Sequence, residues 1–180
     1  MNPPIKKLVV TDLQQGLPAI TPAFGITLAE ACAICLTDQG HSQGVIITIK
    51  GDFTDSFQLY WQDVTDQMLR CWNDKEYTTE QAAYGTAFLV IQQLTDCTVI
   101  QRSRKGTGFD YWLGKKTNSD DIPFEQTVRL EVSGIRKGDD SRIKTRVKLK
   151  VEQVSPSDGE FPAYIVVVEF GNPLAYVVEK

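Results

Sequence analysis

Two acids stand where strands usually carry apolar or β-branched residues. Asp110 lies among aromatics in GTGFDYWLG, residues 106–114, and Glu131 lies in the alternating run TVRLEVSG, residues 127–134. Asp is depleted in strands because it offers the pleat little packing surface. Asp110 therefore reads as a turn residue held by amides near Gly106 and Gly108, an edge charge, or a metal ligand. Glu131 reads as a metal ligand or as one half of a cross-strand ion pair with Arg102 or Arg104. Two carboxylates brought together without a neutralising cation are costly, and a divalent metal such as Mg²⁺ or Mn²⁺ is one way to offset that cost.

Other chemistries are poorly supported. Cys32 and Cys35 form a CxxC inside ITLAEACAICL, whose spacing is that of a packed helix, and His41 is the only histidine. No second Cys or His pair completes a zinc site, so buried helix cysteines are the expected reading. His41 has no convincing nucleophile for a hydrolytic triad. RSRKGTG lacks the order and the strand-to-helix context of a phosphate loop. Trp61, Trp72 and Trp112 read as core, and Trp112 would be the first choice for a stacking role.

Charge is unevenly distributed. The chain carries −4 overall, but residues 102–150 hold 13 of the 19 Lys and Arg and only 7 of the 23 Asp and Glu. That segment is net +6 and the remainder −10. The asymmetry points either to an anionic partner such as nucleic acid or to a solvated face. At 180 residues, 42% hydrophobic and 23% charged, the chain fits an ordinary single globular domain. No apolar run approaches the ~18 residues of a membrane span. MNPPIKKLVV is followed by TDLQQ rather than by the apolar core of a signal peptide, so the expectation is a cytoplasmic protein without membrane contact.

The elements that would position these acids follow from periodicity. Residues 1–25, with Pro3, Pro4, Pro18 and Pro22, suggest an extended arm with a short strand at KKLVVT. A helix over 26–39 is expected with Thr27 as cap and Gly40 as stop. Val45–Ile49 and Ser56–Trp61 around Gly51 and Asp52 describe a hairpin. A second helix is expected behind Thr78, with Gln81 completing a capping box. Its small residues Ala82, Ala83, Gly85, Thr86 and Ala87 suit close packing on a sheet. Three strand-like runs follow, CTVIQRS, GFDYWLG and TVRLEVSG. The helix RIKTRVKLKVEQV comes next, capped by Asp140 or Ser141. It buries Ile143, Val147, Val151 and Val154 and turns Lys144, Arg146, Lys148 and Lys150 away. AYIVVVEF reads as a central strand buried on both faces.

The fold class is α/β or α+β, a mixed sheet with an αβββαβ core over residues 76–180. The N-terminal 75 residues form an arm, helix and hairpin extension that could lengthen the sheet, cover an edge or make a homodimer contact. This order, with Asp110 on one strand and Glu131 on the next, resembles the PD-(D/E)xK nuclease superfamily, the restriction-endonuclease-like fold, over roughly residues 76–171. The chain is also similar to a group of bacterial proteins sharing GTGFDYWLG-, RLEVSGI- and PAYIVVVEF-like segments, a likeness that implies fold rather than activity.

The superfamily resemblance implies that Asp110 and Glu131 hold Mg²⁺ or Mn²⁺, with Glu80 as an additional acid and Glu76 as the fallback. It further implies that basic or amide residues of the second helix (Arg142, Lys144, Arg146, Lys148, Lys150 and Gln153) lie near nucleic-acid phosphates. The chain departs from the motif at Ser133, which stands where the superfamily has a lysine. Lys144 or Lys148 is expected to supply the missing cation. Two functions stay open on this reading: a metal-dependent nuclease, and a non-cleaving binding or assembly module on the same fold.

Overall fold

The computed structural model describes residues 5–116, 128–157 and 159–180, so Pro3 and Pro4 lie outside the described residues. In chain order the elements are β1 (Lys6–Val9), α1 (Pro22–Asp38), β2 (Val45–Gly51), β3 (Asp55–Tyr60), α2 (Asp66–Cys71), α3 (Lys75–Leu94), β4 (Cys97–Arg102), β5 (Tyr111–Lys115), β6 (Val128–Ile135), α4 (Asp140–Val154), β7 (Ala163–Glu169) and β8 (Leu174–Glu179). The strands form one mixed sheet in the order β1-β3-β2-β8-β7-β6-β5-β4. The parallel β6–β7 pair requires a crossover, which α4 supplies. The N-terminal hairpin β2–β3 and strand β1 lengthen this sheet, β2 pairing in parallel with β8.

The helix starts differ from the capping signals expected. α1 begins at Pro22 with Thr21 as its cap, its side chain accepting from the Phe24 amide, because proline at a first helical position loses no hydrogen bond. α3 begins at Lys75, capped by Asp74, whose carboxylate accepts from the amides of Glu76 and Tyr77. Thr78 and Gln81 are therefore buried inside the helix rather than forming a capping box. Asp139, not Asp140 or Ser141, caps α4 by accepting from the Arg142 amide.

The sheet must curl. β1 and β4 are its two edges, yet Ala19, ten residues after β1 ends, donates its amide to Val99 O on β4 at 3.0 Å. Residues Val10–Gln15 of that connection form a 3-10 helix. At ~2 Å per residue there and at most ~3.5 Å elsewhere, the connection spans about 26 Å. A flat eight-stranded sheet would hold its edges about 34 Å apart. α1 and α3 fill the curl, which explains why both are buried on most sides. The small residues of α3 pack on α1 as well as on the sheet, with Cys32 Sγ donating to Ala82 O at 3.2 Å. Both Cys32 and Cys35 are buried free thiols, and burial pushes them up to about 12 and about 11 respectively, as suits a packing role. Among the described residues no helix is long and apolar enough to cross a membrane.

Candidate functional site

The sheet splays open beside β6. That strand pairs with β7 from Arg129 to Ile135, but with β5 only from Val128 to Leu130. Beyond that point β6 has no strand beside it on this edge among the described residues, and Glu131–Arg136 form the floor of a cleft of about 700 Å³. One wall is the N-terminal half of α3 and the other is α4.

Asp110 stands at the fork, immediately before β5 rather than within it. Its amide donates to Leu130 O at 2.9 Å and its carbonyl accepts from the Ser103 amide at 2.8 Å, so its backbone follows the β5 ladder while its side chain reaches the cleft. Asp110 Oδ2 accepts from the Val132 amide at 2.8 Å and Oδ1 from the Tyr84 hydroxyl at 2.9 Å. Burial, and then the neighbouring Asp110 carboxylate, push the Tyr84 phenol upward. Of the glycines that precede Asp110, Gly108 admits α4: it has φ +83°, and a Cβ there would come within 2.8 Å of Gln153 O.

Glu131 occupies the α4-facing side of β6 together with Arg129 and Ser133, all three buried. It is 1% exposed. Its Oε1 accepts from Lys150 Nζ at 2.6 Å and from Gln153 Nε2 at 3.0 Å, whereas Oε2 is buried with no hydrogen-bond partner among the described residues. Burial first, and the Asp110 carboxylate second, raise the Glu131 carboxyl to about 7. Extending the Tyr111–Leu130 register by one step sets Asp110 opposite Glu131.

The sequence-predicted residues sort into two groups. Asp110, Glu131, Glu80, Arg142, Arg146 and Lys150 all line this cleft, with Gln153 and Ser133. Lys144 and Lys148 are exposed and outside its lining, and Lys144 borders a separate hollow with Lys50 and Tyr176. The cation beside Glu131 is thus Lys150, not Lys144 or Lys148. The helical repeat explains the correction. Arg142, Arg146 and Lys150 recur every four residues and flank the buried stripe of Ile143 and Val154, while Lys144 and Lys148 fall on the far side. Arg146 consequently turns inward, donating from Nη1 to Ser133 Oγ at 2.7 Å and toward Gly134 O at 3.4 Å.

Glu131 does not pair with Arg102 or Arg104; Arg102 lies 5.6 Å over the Tyr111 ring. The amides holding Asp110 belong to Val132 rather than to the Gly106–Gly108 turn, and Trp112 packs edge-on between Phe109 and Phe161. Among the described residues no group of three or more His, Cys, Asp and Glu is disposed to hold a metal, so Glu80 does not join the two strand acids.

Two participants escaped the sequence reading. Tyr84 lies one helical turn beyond Glu80, so its place on the same face of α3 was the available signal. Arg136 closes one end of the cleft, where Asp38 of α1 neutralises it at 2.9 Å, and its sequence position carries no comparable signal. No family description matches the chain, and neither a curated protein nor a solved structure matches it.

Proposed function

We propose that the protein is a metal-dependent phosphodiesterase of the PD-(D/E)xK type that acts on nucleic acid. The observation that carries this reading is the buried, unpartnered Oε2 of Glu131 beside the Asp110 carboxylate in an open cleft. An unpaired buried carboxylate oxygen costs free energy unless something occupies it. A divalent ion answers that need, and Mg²⁺ is commonly held by only one or two protein carboxylates together with waters and substrate phosphate. The donor set fits: Asp110, Glu131 and the Val132 carbonyl, which shares the cleft side with the amide bonded to Asp110.

A bound Mg²⁺ or Mn²⁺ would lower the pKa of a water and offset charge developing on the phosphodiester. The chain's own groups prepare that site. Tyr84 and the Val132 amide orient Asp110. Lys150 and Gln153 fix Glu131, so Lys150 supplies from α4 the cation that Ser133 cannot. Arg146, anchored on Ser133, adds positive charge beside the strand acids.

The test is cleavage of single- and double-stranded DNA and RNA with Mg²⁺ or Mn²⁺, using wild type and Asp110→Asn purified side by side. Asparagine can still accept from the Val132 amide, so the variant should fold. Metal-dependent cutting lost in Asp110→Asn is the expected result; equal cutting by both proteins overturns it. A non-cleaving nucleic-acid-binding module is the second reading. It is favoured by the protein donors already present on both Asp110 oxygens and on Glu131 Oε1, and it predicts binding without cutting.

A further inference from the structure

The two walls of the cleft carry opposite net charge: Lys75, Glu76 and Glu80 line the α3 side, and Arg142, Arg146 and Lys150 line the α4 side. α3 presents Glu76 and Glu80, both exposed and one helical turn apart. α4 presents Arg142 and Arg146, also one turn apart. The cleft's other cations have acid partners or neighbours: Arg136 is paired with Asp38, Lys75 at the start of α3 lies near the same Asp38, and Lys150 is paired with Glu131. Arg142 and Arg146 are held only by neutral acceptors, Arg142 donating to Lys137 O and Arg146 to Ser133 Oγ and Gly134 O. No ion pair crosses from Glu76 or Glu80 to either arginine among the described residues. Among the described residues, then, Arg142 and Arg146 make no ion pair on one side of the slot, and Glu76 and Glu80 make none on the other.

From this we infer that the cleft accepts one strand of nucleic acid and rejects a duplex, an inference that rests on the nucleic-acid reading above. A single backbone can run along α4, with its phosphates on Arg142 and Arg146 and its bases toward α3. A duplex would bring a second line of phosphates to the α3 side, against Glu76 and Glu80, where like charges repel. Glu76 and Glu80 thus act as specificity determinants by repulsion, and Arg142 and Arg146 as the attractive pair.

The experiment is equilibrium binding of the full chain to a fluorescein-labelled 12-mer single strand and to the blunt duplex of the same sequence. It is run in EDTA across a salt series. Wild type should hold the single strand at least tenfold more tightly. Arg146→Ala should weaken single-strand binding and flatten its salt dependence by roughly 0.7 in log–log slope, the share of one phosphate contact. The exposed-site double variant Glu76→Lys/Glu80→Lys should tighten duplex binding and close most of the gap, with an unchanged circular dichroism spectrum showing that it folds.

Equal or tighter duplex binding by wild type overturns the inference, as does a gap that survives charge reversal, or binding to neither form. Single-strand preference without any metal-dependent cleavage would leave this inference standing and remove the nuclease reading. Equal cleavage of both forms together with equal binding would do the reverse.

Discussion

Glu131 and Glu169 lie on the paired strands β6 and β7, and each is 1% exposed. Their surroundings differ completely. Glu169 accepts from three backbone amides: Gly138 at 3.1 Å and Gly171 at 2.7 Å on Oε1, and Asn172 at 2.8 Å on Oε2. Both its oxygens are used, and the groups it holds are the turn after β7 and the approach to α4. Glu131 has two donors on one oxygen and none on the other. Its donors are side chains of α4, not fixed amides, and a second carboxylate adds repulsion. Burial alone therefore does not mark a functional acid. A satisfied buried carboxylate fastens loops, whereas a half-satisfied one on the floor of a cleft fits the proposed role of holding a partner from outside.

The comparison breaks most sharply on activity. Glu131→Gln should abolish metal-dependent cleavage, by more than the roughly 10–100-fold that losing an outer-shell partner costs, while folding cooperatively. Glu169→Gln should cut at the wild-type rate at a temperature where it is folded. Loss of cleavage in the Glu169 variant alone would reverse the two assignments. Stability should show the opposite ranking. Glu169→Ala removes the acceptor of three amides on half-buried Gly138 and Gly171 and exposed Asn172, and should cost about 1–3 kcal/mol in urea titration, the penalty for an orphaned polar group that water only partly reaches. A loss under about 1 kcal/mol would mean that water replaces the carboxylate and that Glu169 is no clamp.

Gly134 probes the frame that both acids share. A Cβ there would meet Thr79 O at 2.6 Å and Thr79 Cγ2 at 2.9 Å, because β6 presses directly on α3. Gly134→Ala should cost ~1–3 kcal/mol, the range for overpacking, and should lower the melting temperature. Retained stability would show that α3 can withdraw from the cleft floor.

The pattern of elements was legible where a physical period carries it. The alternation of Leu130 and Val132 with Arg129, Glu131 and Ser133, the apolar run of β7 and the Val45–Trp61 hairpin all have local causes. The pairing of Asp110 with Glu131 followed from strand order and register. Which lysine meets Glu131 did not follow, because the stripe of α4 was read as one buried and one solvated face. Arg146 and Lys150 occupy the flank between those faces, and only the tilt of α4 over β6 decides that flank's direction. The helix caps were missed because Thr21, Asp74 and Asp139 compete with equally plausible polar neighbours. The curl of the sheet was not legible at all, since it shows only in a contact between segments far apart in sequence, Ala19 and Val99.

The smallest effect is a dependence on pH, and it probes Glu131 without any substrate. Glu131 binds its proton more tightly folded than unfolded, its carboxyl being raised to about 7 by burial and then by Asp110. Between about pH 4.5 and 7 the native state therefore holds a proton that the unfolded chain has released. Stability contributed by this group is then fully present below that window and falls as pH rises through it, with a slope of at most about 1.4 kcal/mol per pH unit. Glu131→Gln should remove this slope from a series of urea titrations. Lys150→Met takes away a cation that favours the ionised carboxylate, so the window's upper end should move above 7. Metal must displace the same proton, so Mn²⁺ affinity of the wild type should climb with pH up to about 7 and then level. Affinity that is flat from pH 5 to 8 would mean that the cation does not bind at Glu131, and the contrast between the two glutamates would then be one of packing alone.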